Sequence, residues 1–168
     1  GVGLRIESLA TVGIVAISSS LTPFIGQNLG ANKIERIRIA INYSFVLSGV
    51  WGILIALPLL IFSNDFSNFF SYNTEVQIYL IDYLKIISLS YIFWGWSNIA
   101  SSAFNGYQKP FIAMFIFLSR LFIITVPLVL LGNYYYGLTG ILFGIMISNV
   151  ISGILSIIYT KTSLILKI

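Results

Sequence analysis

A few charged side chains lie in stretches of sequence that are otherwise almost wholly apolar, and they carry the chemistry that this chain has to offer. Burying a charged side chain at the centre of a membrane helix costs about 2.5–3.5 kcal/mol, so such residues pair, face a water-filled cavity or bind an ion. Glu7 follows Arg5 by two residues. Its carboxylate suits a coupling proton or sodium ion, or else an Arg–Glu pair among lipid headgroups. Asp82 has Lys85 three residues on, a spacing that puts both on one helix face where they can pair, leaving a transport role for Asp82 as the alternative. Arg120 lies about ten residues into its apolar run, roughly 15 Å at 1.5 Å per residue, near the midplane of a core about 30 Å thick. It reads either as a cavity-lining cation that pairs with a carboxylate or repels protonated substrate, or as a structural arginine bonding carbonyls or snorkelling. Trp51, Trp94 and Trp96 fall mid-run, away from the usual interfacial belts. Their indoles offer cation–π faces to an organic cation or simple packing between helices. Asn42 and Asn98 are either interhelical glue or cavity lining. The sequence has no His and no Cys, which removes zinc sites of the Cys/His type, disulfides and a histidine base. No phosphate-binding glycine loop, HExxH or nucleophile–base pair occurs. The expectation is a non-enzyme without an organic cofactor or resident metal.

The elements that must hold these residues are set by composition. Of 168 residues, 58% are hydrophobic and 8% charged, and the mean hydropathy is +0.97. Soluble domains carry about 25% charged residues, so the surrounding solvent is lipid, and the net charge of +4 is no nucleic-acid footprint. About 20 apolar residues span the hydrocarbon as a helix. Five runs meet that length, at about residues 4–28, 38–62, 76–104, 111–131 and 137–160, too long and continuous for barrel strands. The fold class is therefore all-α, a polytopic helix bundle. Basic residues fall on alternate connections: Lys33, Arg36 and Arg38, then Lys109, then Lys161 and Lys167. The positive-inside rule puts these, with the C-terminus, in the cytoplasm. Tyr134–Tyr136 and the aromatics of the 63–75 connection then sit at the outer interface. Gly1 comes out on the external side and the run begins at once, so the expectation is a fragment with sequence upstream. Pro23, Pro58 and Pro127 bend helices and are candidates for hinges. Gly140, Gly144, Ser148, Ser152 and Ser156 recur every four residues, a ladder for close helix packing. It drifts about 40° per step, so one neighbour meets about three of its members.

Three segments carry a family resemblance. LRIESLATVGIVAISSSLTPFIGQNLGAN from Leu4, with PFIGQNLGANKIERIR from Pro23 as its most specific piece, is followed by FSNDFSNFFSYNTEVQIYLIDYLKI from Phe62 and SSAFNGYQKP from Ser101. Together they resemble the C-terminal half of a multidrug and toxic compound extrusion (MATE) transporter, about helices eight to twelve. The resemblance implies a partial C-terminal six-helix lobe over residues 1–168, lacking its first helix, with an N-terminal lobe as partner across a central cleft that opens alternately. It implies export of small organic, often cationic, compounds by sodium- or proton-coupled antiport in the cell membrane. Some branches carry an acidic residue midway along the tenth helix. Trp94 occupies that region here, which makes that mode of coupling doubtful and leaves Glu7 as the preferred carboxylate. Two other readings compete: a flippase for lipid-linked saccharide, which calls for a more basic cleft, and a non-transporting membrane fragment.

Overall fold

The computed structural model describes the backbone of residues 2–70 and 72–165, and the side chains of that range other than residues 2–6, 9 and 165. Lys167 and the Arg5 side chain lie outside the described residues. All described regular structure is helical: α1 (Val2–Gly30), α2 (Ile34–Ile61), α3 (Ser63–Phe70), α4 (Thr74–Ser88), α5 (Tyr91–Gly106), α6 (Pro110–Leu118), a π-helical stretch (Ser119–Thr125), α7 (Val126–Thr160) and a second π-helical stretch (Lys161–Ile165). Three helical stretches, Ala10–Gly30, Ile34–Ile61 and Pro110–Leu164, are long and apolar enough to cross a membrane, and α4 with α5 makes a bent fourth. All five predicted runs are helical, with two departures from simple rods.

The first departure is in the third run. The helix breaks between α4 and α5 and bends by 51°. Ser90 at the break donates its hydroxyl to the Ile87 carbonyl at 2.7 Å and receives Asn149 Nδ2 from α7 at 2.9 Å. Side-chain hydroxyls that bond the backbone locally compete with the helix ladder, and a partner from another helix fixes the bend. The second departure is the long run Pro110–Leu164, which folds back on itself. Gly137 stands at φ 58°, ψ −136° within α7, a conformation open to glycine because it has no Cβ. The chain reverses there, and the two arms meet so closely that a Cβ at Gly140 would overlap the Gly132 carbonyl, while one at Gly144 would crowd the Leu128 carbonyl at 2.8 Å. One step further, Ser148 Oγ lies 2.9 Å from Thr125 Oγ1. The ladder thus meets its preceding arm at three members, as its drift requires.

The connections at one end share a design. α1 ends with Asn32 at φ 56° and the Lys33 amide on the Asn28 carbonyl, and α5 ends with Gln108 at φ 57° and the Lys109 amide on the Phe104 carbonyl. A left-handed residue followed by this six-to-one bond is the Schellman stop, and asparagine is its usual non-glycine substitute. Each places a lysine just beyond the helix. Leu21, Ile25, Ile37, Ile41, Ile99, Phe104, Ala113 and Leu164 pack into one apolar core at this end, so Lys33, Lys109 and Lys161 flank the same end of the bundle. A second core of Ala10, Leu59, Leu80, Leu84, Ile87, Tyr91 and Leu142 fills the other end. The 63–75 connection there contains the short helix α3. Its Ser63 and Ser67 are buried, Ser67 bonds the Gln77 carbonyl, and Phe69 and Phe70 remain exposed. Asn73 caps α4 by accepting from the amides of Glu75 and Val76, which is the standard way to satisfy orphan amides.

Candidate functional site

Glu7 and Tyr83 meet across two helices. The Tyr83 hydroxyl of α4 donates to Glu7 Oε2 of α1, and both residues are half-buried. α4 brings Tyr83 to this point because Leu80, Leu84 and Ile87 on the same helix are sunk in the second apolar core. Spacings of three and four residues align one face. A carboxylate held by a phenol can bind and release a proton or a small cation without losing its position, because the phenol can donate to it in either state.

Arg120 is positioned by the π-helical stretch. Pro127 lacks an amide hydrogen, and its ring clashes with the carbonyl four residues earlier. The preceding backbone widens instead: the Val126 amide bonds the Leu121 carbonyl, and Thr125 Oγ1 donates to the Arg120 carbonyl at 2.9 Å. Such widened turns are frequent at functional positions. Arg120 and Ser119 line a cleft of about 420 Å³ whose far wall is formed by Ser152, Leu155, Ser156 and Tyr159 of α7. Where the hairpin arms part below Ser148, the last two members of the small-residue ladder leave room instead of contact. Among the described residues no carboxylate forms an ion pair with Arg120.

The other predicted residues separate into two groups. Asp82 is half-buried and Lys85 exposed. Among the described residues they form no ion pair, so their shared helix face does not bring the charges together. Trp51 and Trp96 are packing residues. Trp51 Nε1 donates to the Ala10 carbonyl at 2.9 Å and its ring covers Gly13, while Trp96 Nε1 donates to the Phe45 carbonyl at 3.2 Å above Gly49. Trp94 is half-buried, and its carbonyl accepts Asn98 Nδ2 at 2.8 Å. The Asn98 amide is therefore a local backbone bond within α5 and not interhelical glue. Asn42 lines a separate groove of about 530 Å³ with Trp96 and Lys161. Sequence reasoning missed Tyr83, Ser90 and Asn149. Tyr83 is one of ten tyrosines, and neither it nor Ser90 nor Asn149 carries a local signal. Trp51→Phe should lower the stability of the full-length protein by about 1 kcal/mol, the net worth of a hydrogen bond, while Trp94→Phe should leave it near wild type. Thermal unfolding in detergent measures both.

The MatE family model matches residues 1–131. The chain is 35% identical over 154 residues to a protein of Shewanella oneidensis described as a FAD transporter, covering 92% of this chain and 34% of that one. Among solved structures it is similar to the Vibrio cholerae MATE transporter VcmN in its bent form, with TM-score 0.91, 30% identity and coverage of 96% of this chain and 37% of that one. It is also similar to the MATE multidrug transporter DinF-BH, with TM-score 0.85, 25% identity and coverage of 95% and 36%. The chain thus spans about a third of the length of these relatives. A lipid-embedded helix bundle with a fold shared this closely, and a family match over most of its length, make one conclusion: the chain belongs to the MatE family of membrane transporters.

Proposed function

We propose that the chain forms the C-terminal lobe of a secondary-active exporter, which moves small organic compounds out of the cell against an inward flow of sodium ions or protons. The observation that carries this reading is the Glu7 carboxylate, set within the bundle and gripped by Tyr83 from another helix. Glu7 stands in α1 just before the apolar stretch Ala10–Gly30, and an ionisable group partnered between membrane helices marks a site to test for function. In this reading a second, N-terminal lobe faces the surface that holds Arg120, the two lobes rock to expose the space between them alternately, and lipid surrounds the rest. Lys33, Arg36, Arg38, Lys109 and Lys161 mark the cytoplasmic side of the cell membrane by the positive-inside rule.

The cargo has two readings. The family resemblance favours organic cations. The relative described as a FAD transporter favours a flavin nucleotide, and Arg120, which has no acidic partner among the described residues, supports that second reading. A saccharide-lipid flippase is less favoured, since Arg120 is the one basic residue lining its cleft. Everted membrane vesicles carrying the full-length protein test the proposal. Accumulation of a fluorescent cation or of FAD should require either a sodium or a proton gradient and vanish when that gradient is collapsed. Accumulation indifferent to both gradients would overturn it. The 168-residue chain expressed alone should transport nothing, and robust efflux from it would refute the two-lobe reading.

A further inference from the structure

We infer that the Arg120 cleft is an oxyanion subsite that selects aromatic compounds bearing a phosphate group. The inference rests on the exporter reading above and deepens it by naming what the inner face recognises. The cleft, about 420 Å³, is in the size range of small-molecule sites, about 300–1,000 Å³. Its lining includes no acidic residue and one cation. Arg120 has no ion-pair partner among the described residues, and the Glu7 carboxylate accepts from Tyr83. A guanidinium offers five N–H donors in a planar fork that matches the oxygens of a phosphate. A guanidinium left unmatched within a membrane-spanning helix is costly, and an anionic ligand offsets that cost.

The hydroxyls divide into two kinds. Ser119 and Ser152 donate to their own helix backbones, at 3.2 Å to the Ile116 carbonyl and 2.7 Å to the Ser148 carbonyl. Ser156 is 4% exposed and lines the cleft, and among the described residues no hydrogen bond reaches its hydroxyl. It stands one turn from Ser152 on the same face and is a ready donor to the same anion. Tyr159 of α7 and Phe115 of α6 add aromatic surface to the lining. Tyr159 is braced by Phe104, with ring centroids 5.3 Å apart, so one wall is rigid. The lining thus offers one cation, a free hydroxyl and two aromatic rings, which would repel a protonated amine and suit a planar aromatic group that bears a phosphate.

Riboflavin and riboflavin 5′-phosphate share one ring system and differ by the phosphate alone, so they isolate the subsite. Binding to the purified full-length transporter in a maltoside detergent, read by ligand fluorescence, should favour the phosphate ester by about tenfold or more, the usual scale of one charge-assisted contact. Arg120→Gln should erase the preference by weakening the ester and sparing riboflavin. Ser156→Ala keeps the charge, guards against misfolding of the first variant, and should narrow the preference by about threefold. Equal binding of the two ligands to the wild type would overturn the inference, as would a preference that survives both substitutions. A lipid phosphate is the other source of this chemistry. If phosphatidylglycerol displaces nothing from the wild type, the solute reading stands; if it binds in an Arg120-dependent manner and the flavin phosphate does not compete, Arg120 is a headgroup anchor and the inference fails. Because binding needs no ion gradient, intact discrimination without gradient-driven transport would fault the exporter reading instead, and transport without discrimination would fault this one.

Discussion

Replacing Gly140 with leucine should unfold the hairpin that carries Arg120 and sharply reduce the amount of full-length protein recovered from membranes. Gly140 and Gly132 meet backbone to backbone on either side of the Gly137 reversal, with no room for a side chain on either partner. A leucine there cannot be relieved by a rotamer change, because the obstructing atoms are a carbonyl and its carbon and not the end of a flexible side chain. Overpacking of a tight core costs about 1–3 kcal/mol, and a backbone clash sits at the top of that range, roughly 3 kcal/mol. Small residues at helix contacts in lipid exist for this approach. Gly26 provides the control, since nothing lies within 4 Å of a Cβ there, and Gly26→Leu should leave the melting temperature in detergent near wild type. A Gly140→Leu protein as stable as Gly26→Leu would mean that the two arms do not touch as described.

Glu7→Gln should reduce gradient-driven transport by at least about tenfold, equivalent to roughly 1.4 kcal/mol of lost driving interaction, with little change in the quantity of folded protein. The amide keeps the size of the side chain and can still accept from the Tyr83 hydroxyl, so stability is spared while the charge that a proton or sodium ion would bind is gone. Asp82→Asn should stay within about twofold of wild type, because Asp82 makes no ion pair or bridging hydrogen bond among the described residues, and exposed or half-exposed charges contribute little. Tyr83→Phe should fall between the two, since it leaves the carboxylate charged but without the bond from α4. Transport rates per folded molecule, measured side by side, rank the four proteins. Asp82→Asn as the more damaging change would reverse the assignment of the coupling carboxylate.

Hydropathy and spacing were enough to foresee the helices, because burying about 20 apolar residues in lipid leaves the backbone one cheap solution. They also foresaw that Lys33, Lys109 and Lys161 would share an end, and that three members of the Gly140–Ser156 ladder would meet one neighbour. The bend at Ser90 was not legible. Its cause is a hydrogen bond from Asn149, 59 residues away, and pairwise contacts across such a distance leave no periodic trace. The π-helical stretch had a local signal in Pro127, but a proline predicts that some nearby carbonyl loses its partner, not how the backbone responds. Among the candidate site residues, Glu7 takes a partner from another helix, Tyr83, and Arg120 lines a cleft. Asp82 and Asn98 do not join them: residue type marked these as candidates, and only the helix phase and local backbone bonding decide which way each side chain is spent. The tryptophans follow the same rule, with Trp51 and Trp96 committed to carbonyls of neighbouring helices.

In the exporter reading proposed above, the Arg120 cleft faces an aqueous space that opens to each side in turn. A single cysteine introduced as Ser119→Cys, in full-length protein free of other reactive thiols, reports that directly, since Ser119 lines the cleft beside Arg120. In sealed vesicles, a membrane-impermeant maleimide should reach it from the cytoplasmic side under one ion gradient and from the external side when the gradient is reversed. A thiol shielded from both aqueous sides under both gradients, yet modified by a lipid-soluble maleimide, would put this wall against lipid and contradict the account.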